Sequence, residues 1–198
     1  ESRDYYVPGI IAMLVMLIGL MLTSMAIVRE KESGTIEQIM VTPIRPLEFI
    51  LGKCAPFAVI GFANTAMVSA VALLWFQIPF RGSFPLLLVG VALFLLSTLG
   101  IGLFISTVSQ TQQQAMMTTF FFFFPAMLFS GFIFPIANMP PLIQWLSLLD
   151  PLRHMLVVIR GVFLKGVGFD VLWPQLAALL ALGTAVMAFA VRRFQKHV

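Results

Sequence analysis

Few side chains in this sequence are equipped for covalent chemistry. His154 and His197 stand far apart, and Cys54 is the one cysteine of 198 residues. A metalloprotease needs His-Glu-x-x-His and a serine hydrolase needs a serine with a placed base, and neither pattern occurs. The two histidines read as hydrogen-bonded or interfacial singletons, and no metal site is expected. Cys54 cannot form an intrachain disulfide and reads as a small buried residue beside Lys53. Ser97, Thr98 and Ser130 read as helix hydroxyls bonded to the preceding turn. A phosphate-cradling loop would need Gly-x-x-x-x-Gly-Lys-Ser/Thr, whereas Gly52-Lys53 is followed by Cys54 and has Leu47 where the first glycine belongs. No ATPase site is expected on this chain.

The densest group of functional side chains lies between Arg29 and Lys53. Thr35-Ile36-Glu37-Gln38 has capping-box spacing, with Thr35 at the cap and Gln38 three residues later. Ile36, Ile39 and Met40 fall at i, i+3 and i+4, which predicts a short helix with one apolar face. Pro43 and Pro46 end it, and Pro46 fits the first turn of the following helix. Such a helix is either a lid on its own protein or the lipid surface, or a docking element that transmits movement of a soluble partner into the helices on either side.

Those neighbouring elements must be membrane spans. Hydrophobic residues make up 60% of the chain and charged residues 10%, against about 25% charged in a soluble domain. A bilayer core about 30 Å thick takes about 20 apolar residues, and charges inside it are rare. The gaps between charges predict spans over Pro8 to Val28, Cys54 to Phe80, Pro85 to Thr107, Ala115 to Ile136 and Val171 to Val191. The polar block Ser109 to Gln114 divides the third from the fourth. The expected fold class is therefore all-α, a polytopic membrane helix bundle of about five crossings forming a single transmembrane domain, residues 1–198.

Arg29, Lys31, Arg45, Lys53, Arg192, Arg193 and Lys196 fall on one side of that arrangement, and Arg3, Arg81, Arg153, Arg160 and Lys165 on the other. The excess favours a cytosolic C-terminus. The formal charge of +4 thus sits at span ends, as membrane anchors do; no basic patch interleaved with aromatics marks a nucleic-acid surface.

The fourth span carries the run Phe120 to Phe124. An aromatic wall there suits a hydrophobic cargo, and Phe122, Phe123, Met127 and Phe129 are the candidate path residues. Pro125, Pro135, Pro140 and Pro141 interrupt helical hydrogen bonding, so this region is expected to pack against protein. Pro141 opens one short helix bearing Trp145, and Asp150-Pro151 has the cap-then-first-turn order for a second. In that second helix Leu152, Met155, Leu156, Ile159, Val162 and Phe163 share one face while Arg153 and Arg160 lie on another, so it is expected either to lie on the outer interface, anchored by its arginines, or to dip into it. Small residues at Ala177, Ala181 and Ala185, and at Gly100 and Gly102, permit close helix approach.

Arg29-Glu30-Lys31-Glu32-Ser33-Gly34-Thr35-Ile36-Glu37-Gln38, with Val41-Thr42-Pro43 and Gly52-Lys53, resembles the coupling segment of type-2 ATP-binding-cassette (ABC) exporter permeases. Asp4-Tyr5-Tyr6-Val7-Pro8-Gly9 resembles the entry to that family's second span. Leu149-Asp150-Pro151-Leu152-Arg153-His154, through Arg160-Gly161, resembles the segment before its last span. The resemblance implies that Glu30, Glu32, Gly34, Thr35, Glu37 and Gln38 meet a cytosolic nucleotide-binding subunit, which holds ATP and magnesium while this chain binds no cofactor. It also implies a second permease subunit, identical or different, a pair of short re-entrant helices at an outer constriction, and a bacterial inner membrane. Permeases of this type begin with a further span and an extracytoplasmic region, so an N-terminal portion is expected beyond this sequence. The competing reading is an ion-coupled secondary transporter or channel; the absence of ionisable residues from all five proposed spans speaks against proton coupling.

Overall fold

The computed structural model describes residues 2–197, with the side chain of His197 outside the described set. Its helices are α1 (Ser2–Glu32), α2 (Thr35–Met40), α3 (Pro46–Leu74), α4 (Phe84–Val108), α5 (Gln112–Phe129), α6 (Pro141–Ser147), α7 (Pro151–Arg160) and α8 (Phe169–His197). A 3₁₀ turn, Ile136–Asn138, precedes α6, and a π-helical turn, Gly161–Lys165, extends α7. Among the described residues there is no strand.

Four helices, α1, α3, α4 and α8, are long and apolar enough to cross a membrane. Their charges are confined to the ends, where Lys and Arg reach headgroups. The second span is displaced from its sequence-predicted position: α3 begins at Pro46 and ends at Leu74, whereas the charge gap placed it over Cys54 to Phe80. Pro46 nucleates the helix ahead of the apolar stretch, and the Arg45 backbone N–H donates to Glu48 Oε2 at 3.2 Å, closing its first turn. At the far end the chain leaves helical geometry and Gln77 adopts a positive φ of 53°.

Side-chain contacts sort the helix ends into two layers. At one end Lys53 pairs with Glu30, Phe49 stacks on Phe194 at 5.9 Å, and Gln112 bonds Glu32. At the other, Tyr6 meets Phe132 at 5.6 Å, Arg160 meets Tyr5, and Phe80 meets Phe163 at 5.0 Å. Residues on either side of α5 therefore lie in opposite layers. Its 18 residues span roughly 27 Å at 1.5 Å each, enough to traverse the bundle although three glutamines make its first turn polar. It stops at Phe129 and not at Ile136 as the sequence predicted.

The bent pair behaves differently. α6 and the extended α7 meet at 80°, and the pair is entered near Phe132 and left near Gly166, which sits against Arg81. Both points belong to the Tyr5 layer, so the pair enters and leaves the bundle on one side. It dips far enough for Val158 to approach Gly90 and for Leu156 to approach Gly9. The sequence-predicted apolar face, Leu152, Met155, Leu156, Ile159, Val162 and Phe163, is fully buried. Asp150 caps the helix by accepting from Leu152 N at 3.0 Å.

α4 is the central post. Leu87, Val91, Phe94 and Leu95 share one core with Ile11, Val15 and Leu20 of α1 and with Leu176 and Leu179 of α8. Gly100 lies against Met187 and Gly183 against Leu96, while Gly102 meets Thr23. The stripe Ala177, Ala181 and Ala185 is exposed instead, so close approach on α8 uses Gly183 and not the alanines.

Two further expectations are corrected. Helix α5 continues through Pro125; the proline removes one backbone donor without breaking the helix. Within this chain the segment around it is only partly covered, Phe121, Phe124, Phe134 and Leu142 being exposed. α5 buries one face against α1 and leaves the rest outward.

Candidate functional site

The short helix between the first two crossings is built on the end of α1. That helix runs unbroken to Glu32, then Ser33 N donates to Arg29 O at 3.1 Å and Gly34 N to Lys31 O at 3.2 Å. Gly34 has φ 71°, with nothing within 4 Å of the position a Cβ would take. Its role is conformational: the left-handed residue turns the chain out of α1 and into α2 without a loop. Gly34 thereby occupies the position before α2, and Thr35 is its first helical residue. The capping box expected at Thr35 and Gln38 does not form; the Thr35 hydroxyl donates back to Glu30 O at 3.2 Å, pinning α2 to α1.

Three consecutive residues at the end of α1 brace the neighbouring helices. Glu30 forms its ion pair with Lys53 of α3. The Lys31 ammonium donates to the Ser106 carbonyl of α4 and lies 3.5 Å from the Ser109 carbonyl. Lys31 thus occupies the negative end of the α4 dipole, which a cation satisfies well. Glu32 accepts from Gln112 N at 3.1 Å and from Gln112 Nε2 at 2.7 Å, tying α1 to the first turn of α5. The root of α2 is thus tied to α3, α4 and α5 as well as α1 through short polar links.

Glu37 and Gln38 face outward and are exposed, as is Val41. Ile36, Ile39 and Met40, the last of them exposed, line an open cavity of about 230 Å³ with Ile44, Phe49 and Phe194. The six residues expected at the coupling site thus divide by task. Glu30, Glu32 and Thr35 hold the element to the bundle, Gly34 sets its angle, and Glu37 and Gln38 present a free surface. Lys31, Lys53 and Gln112 were not among the expected site residues. Their roles depend on where α3, α4 and α5 end, which spacing alone does not reveal.

The candidate path residues also separate. Phe123 is buried in the main core and Met127 packs against it. Phe122 is outward-facing and lies edge-on to Phe104 at 6.3 Å, and Phe129 is half-buried. Of the four candidate path residues Phe122 is therefore the one open to the surroundings of α5, and its neighbours Phe121 and Phe124 are more exposed still. The two singletons are structural. Cys54 is buried, and both ring nitrogens of His154 are engaged, Nδ1 with Gln175 at 2.6 Å and Nε2 with the Leu148 carbonyl at 2.8 Å.

An all-helical multi-pass bundle with a braced short helix between two crossings, and a re-entrant pair at the opposite end, has the plan of a transport permease. The chain belongs to the ABC-2 type transporter family, whose model matches residues 1–164. It is 34% identical over 198 residues to the probable multidrug ABC transporter permease YbhR of Escherichia coli K12, covering all of this chain and 54% of that protein. To the inner membrane transport permease YhhJ of the same strain it is 31% identical over 197 residues, 96% of this chain and 52% of that one. ABC transporter G family member 20 of Dictyostelium discoideum is 23% identical over 90% of this chain and 25% of its own length. The chain spans about half the length of the bacterial relatives it matches.

Proposed function

We propose that this chain is the membrane-spanning part of a permease in an ATP-driven exporter, powered by a separate cytosolic ATP-binding-cassette subunit that carries ATP and magnesium. The observation that carries the reading is the bracing of α2. Its outer face presents Glu37, Gln38 and Val41, while Glu30, Lys31 and Glu32 at its root connect it to α3, α4 and α5. A rigid lever of this kind transmits movement of a docked partner to the crossing helices, which a passive lid does not need to do. On this reading the α2 end, with the C-terminus, is cytosolic. Two permease subunits, identical or different, then face each other around one path in a bacterial inner membrane.

The cargo class is hydrophobic or amphipathic. The crossing helices keep their charges at their ends, and outward-facing phenylalanines line α5. YbhR is described as a probable multidrug permease, and we carry that class over to this chain.

The test is co-purification of the full-length protein in mild detergent with an ATPase assay of the complex. A nucleotide-binding subunit in stoichiometric amount, lost or uncoupled on Glu37→Lys while membrane insertion persists, is the expected result. A protein that purifies alone and without ATPase activity in several mild detergents turns the reading to an ion-coupled transporter or channel, which ion flux into liposomes would then reveal.

A further inference from the structure

The end of the bundle opposite α2 carries a cleft of about 540 Å³, walled by the start of α1, the turn after α5, the extended α7 and the start of α8. Three cations line it, Arg153, Arg160 and Lys165, and no carboxylate is among the lining residues. The rest of the wall is largely apolar, including Leu156, Val157 and Leu164. Arg160 is held in place by Tyr5: Nη1 donates to the phenol oxygen at 2.9 Å, and the guanidinium carbon lies 3.7 Å from the ring centroid. Arg153 donates through Nη1 to the Gln144 carbonyl at 3.0 Å. Lys165 is exposed and makes no ion pair among the described residues.

Three cations with no carboxylate in the lining make the cleft electropositive, a field that an anion entering it neutralises. The depth of the cleft specifies what carries that anion. All three tryptophans and both tyrosines of the chain belong to this end: Tyr5, Tyr6, Trp75, Trp145 and Trp173. Trp75, Trp145 and Trp173 are exposed, forming the aromatic belt that sits at the headgroup level of a bilayer. A cationic cleft with apolar walls at that level matches a phosphate group attached to acyl chains.

We propose that this cleft binds the phosphate headgroup of an anionic membrane lipid, with Arg153, Arg160 and Lys165 around the phosphate and the apolar wall against the chains. The proposal does not depend on the exporter reading, because its readout is lipid binding at the end away from α2.

The experiment is a thermal-stability titration of the intact protein in an uncharged maltoside detergent with phosphatidylglycerol, with diacylglycerol and with inorganic phosphate. Phosphatidylglycerol should raise the Tm saturably. Lys165→Gln, at an exposed position, should raise the half-saturating concentration about fivefold, Arg153→Gln should act in the same direction, and Lys165→Arg should restore binding. Equal stabilisation by diacylglycerol would remove the phosphate from the assignment. Stabilisation by inorganic phosphate to the same extent would make this a free-anion site and overturn the lipid assignment. An unchanged phosphatidylglycerol response in both Gln variants would overturn the site itself.

Discussion

Glu30 and Lys53 sit on different helices, and their charges meet only because α1 and α3 start and stop where they do. A partly exposed ion pair of this kind contributes ~1 kcal/mol or less, so its value lies in position more than in stability. Glu30→Lys should leave expression and Tm nearly unchanged while lowering coupled ATPase activity several-fold, and Glu30→Lys with Lys53→Glu should recover most of it. If the double variant is as impaired as the single one, the pair is not the link. The acidic residues of this segment were legible in the sequence through its resemblance to a coupling segment, but their partners were not, since each lies on a different helix. The phenylalanine run shows the same limit. Five consecutive rings cover every face of a helix, and only the packing of α5 on α1 selects Phe123 as the inward one. Phe123→Ala should therefore cost roughly 3–5 kcal/mol by the usual cost of a lost core ring, read as a fall in Tm. Phe122→Ala should keep the Tm and alter export alone.

Among the elements, α4 and α8 make the most extensive contact, and Gly100 lets their backbones come close. A Cβ there would stand 3.1 Å from Met187 N and 3.2 Å from its Cα, backbone atoms that cannot rotate away. Gly100→Val should destabilise the protein by about 1–3 kcal/mol through overpacking, whereas Gly52→Ala, with nothing within 4 Å of the new carbon, should be neutral or slightly stabilising. Thermal unfolding of the two variants side by side separates helix contact from helix propensity, and equal Tm values would refute the close-contact role. The elements themselves were readable from charge gaps because an apolar stretch bounded by Lys and Arg has one common physical solution in a bilayer. Where reading failed, a local rule had yielded to a neighbour. Thr35 gave up its capping role because Gly34 already turns the chain, α3 begins early because Pro46 and Glu48 form its first turn, and α5 ends early because the chain must turn into the re-entrant pair.

At the scale of the whole molecule, the crossings must be odd in number if α2 and the end of α8 share a side, and Phe49 stacked on Phe194 puts them there. Counting α6 and α7 as a crossing would make six and send the C-terminus to the other side, which that contact forbids. The exporter reading proposed above puts α2 in the cytosol, and the excess of seven cations at that end over five at the other favours the same orientation. Single-cysteine labelling tests parity and orientation together. In a background of the full-length protein freed of Cys54 and any further cysteine, Gln38→Cys and Lys196→Cys should both resist a membrane-impermeant maleimide in intact cells and react after permeabilisation, while Lys165→Cys reacts from outside. Labelling of positions 38 and 165 on the same side would break the two-layer assignment. Labelling of 38 and 196 from outside, with 165 protected, would keep the layers but invert the bundle, leaving α2 where no cytosolic ATPase can reach it and ending the exporter reading with one experiment.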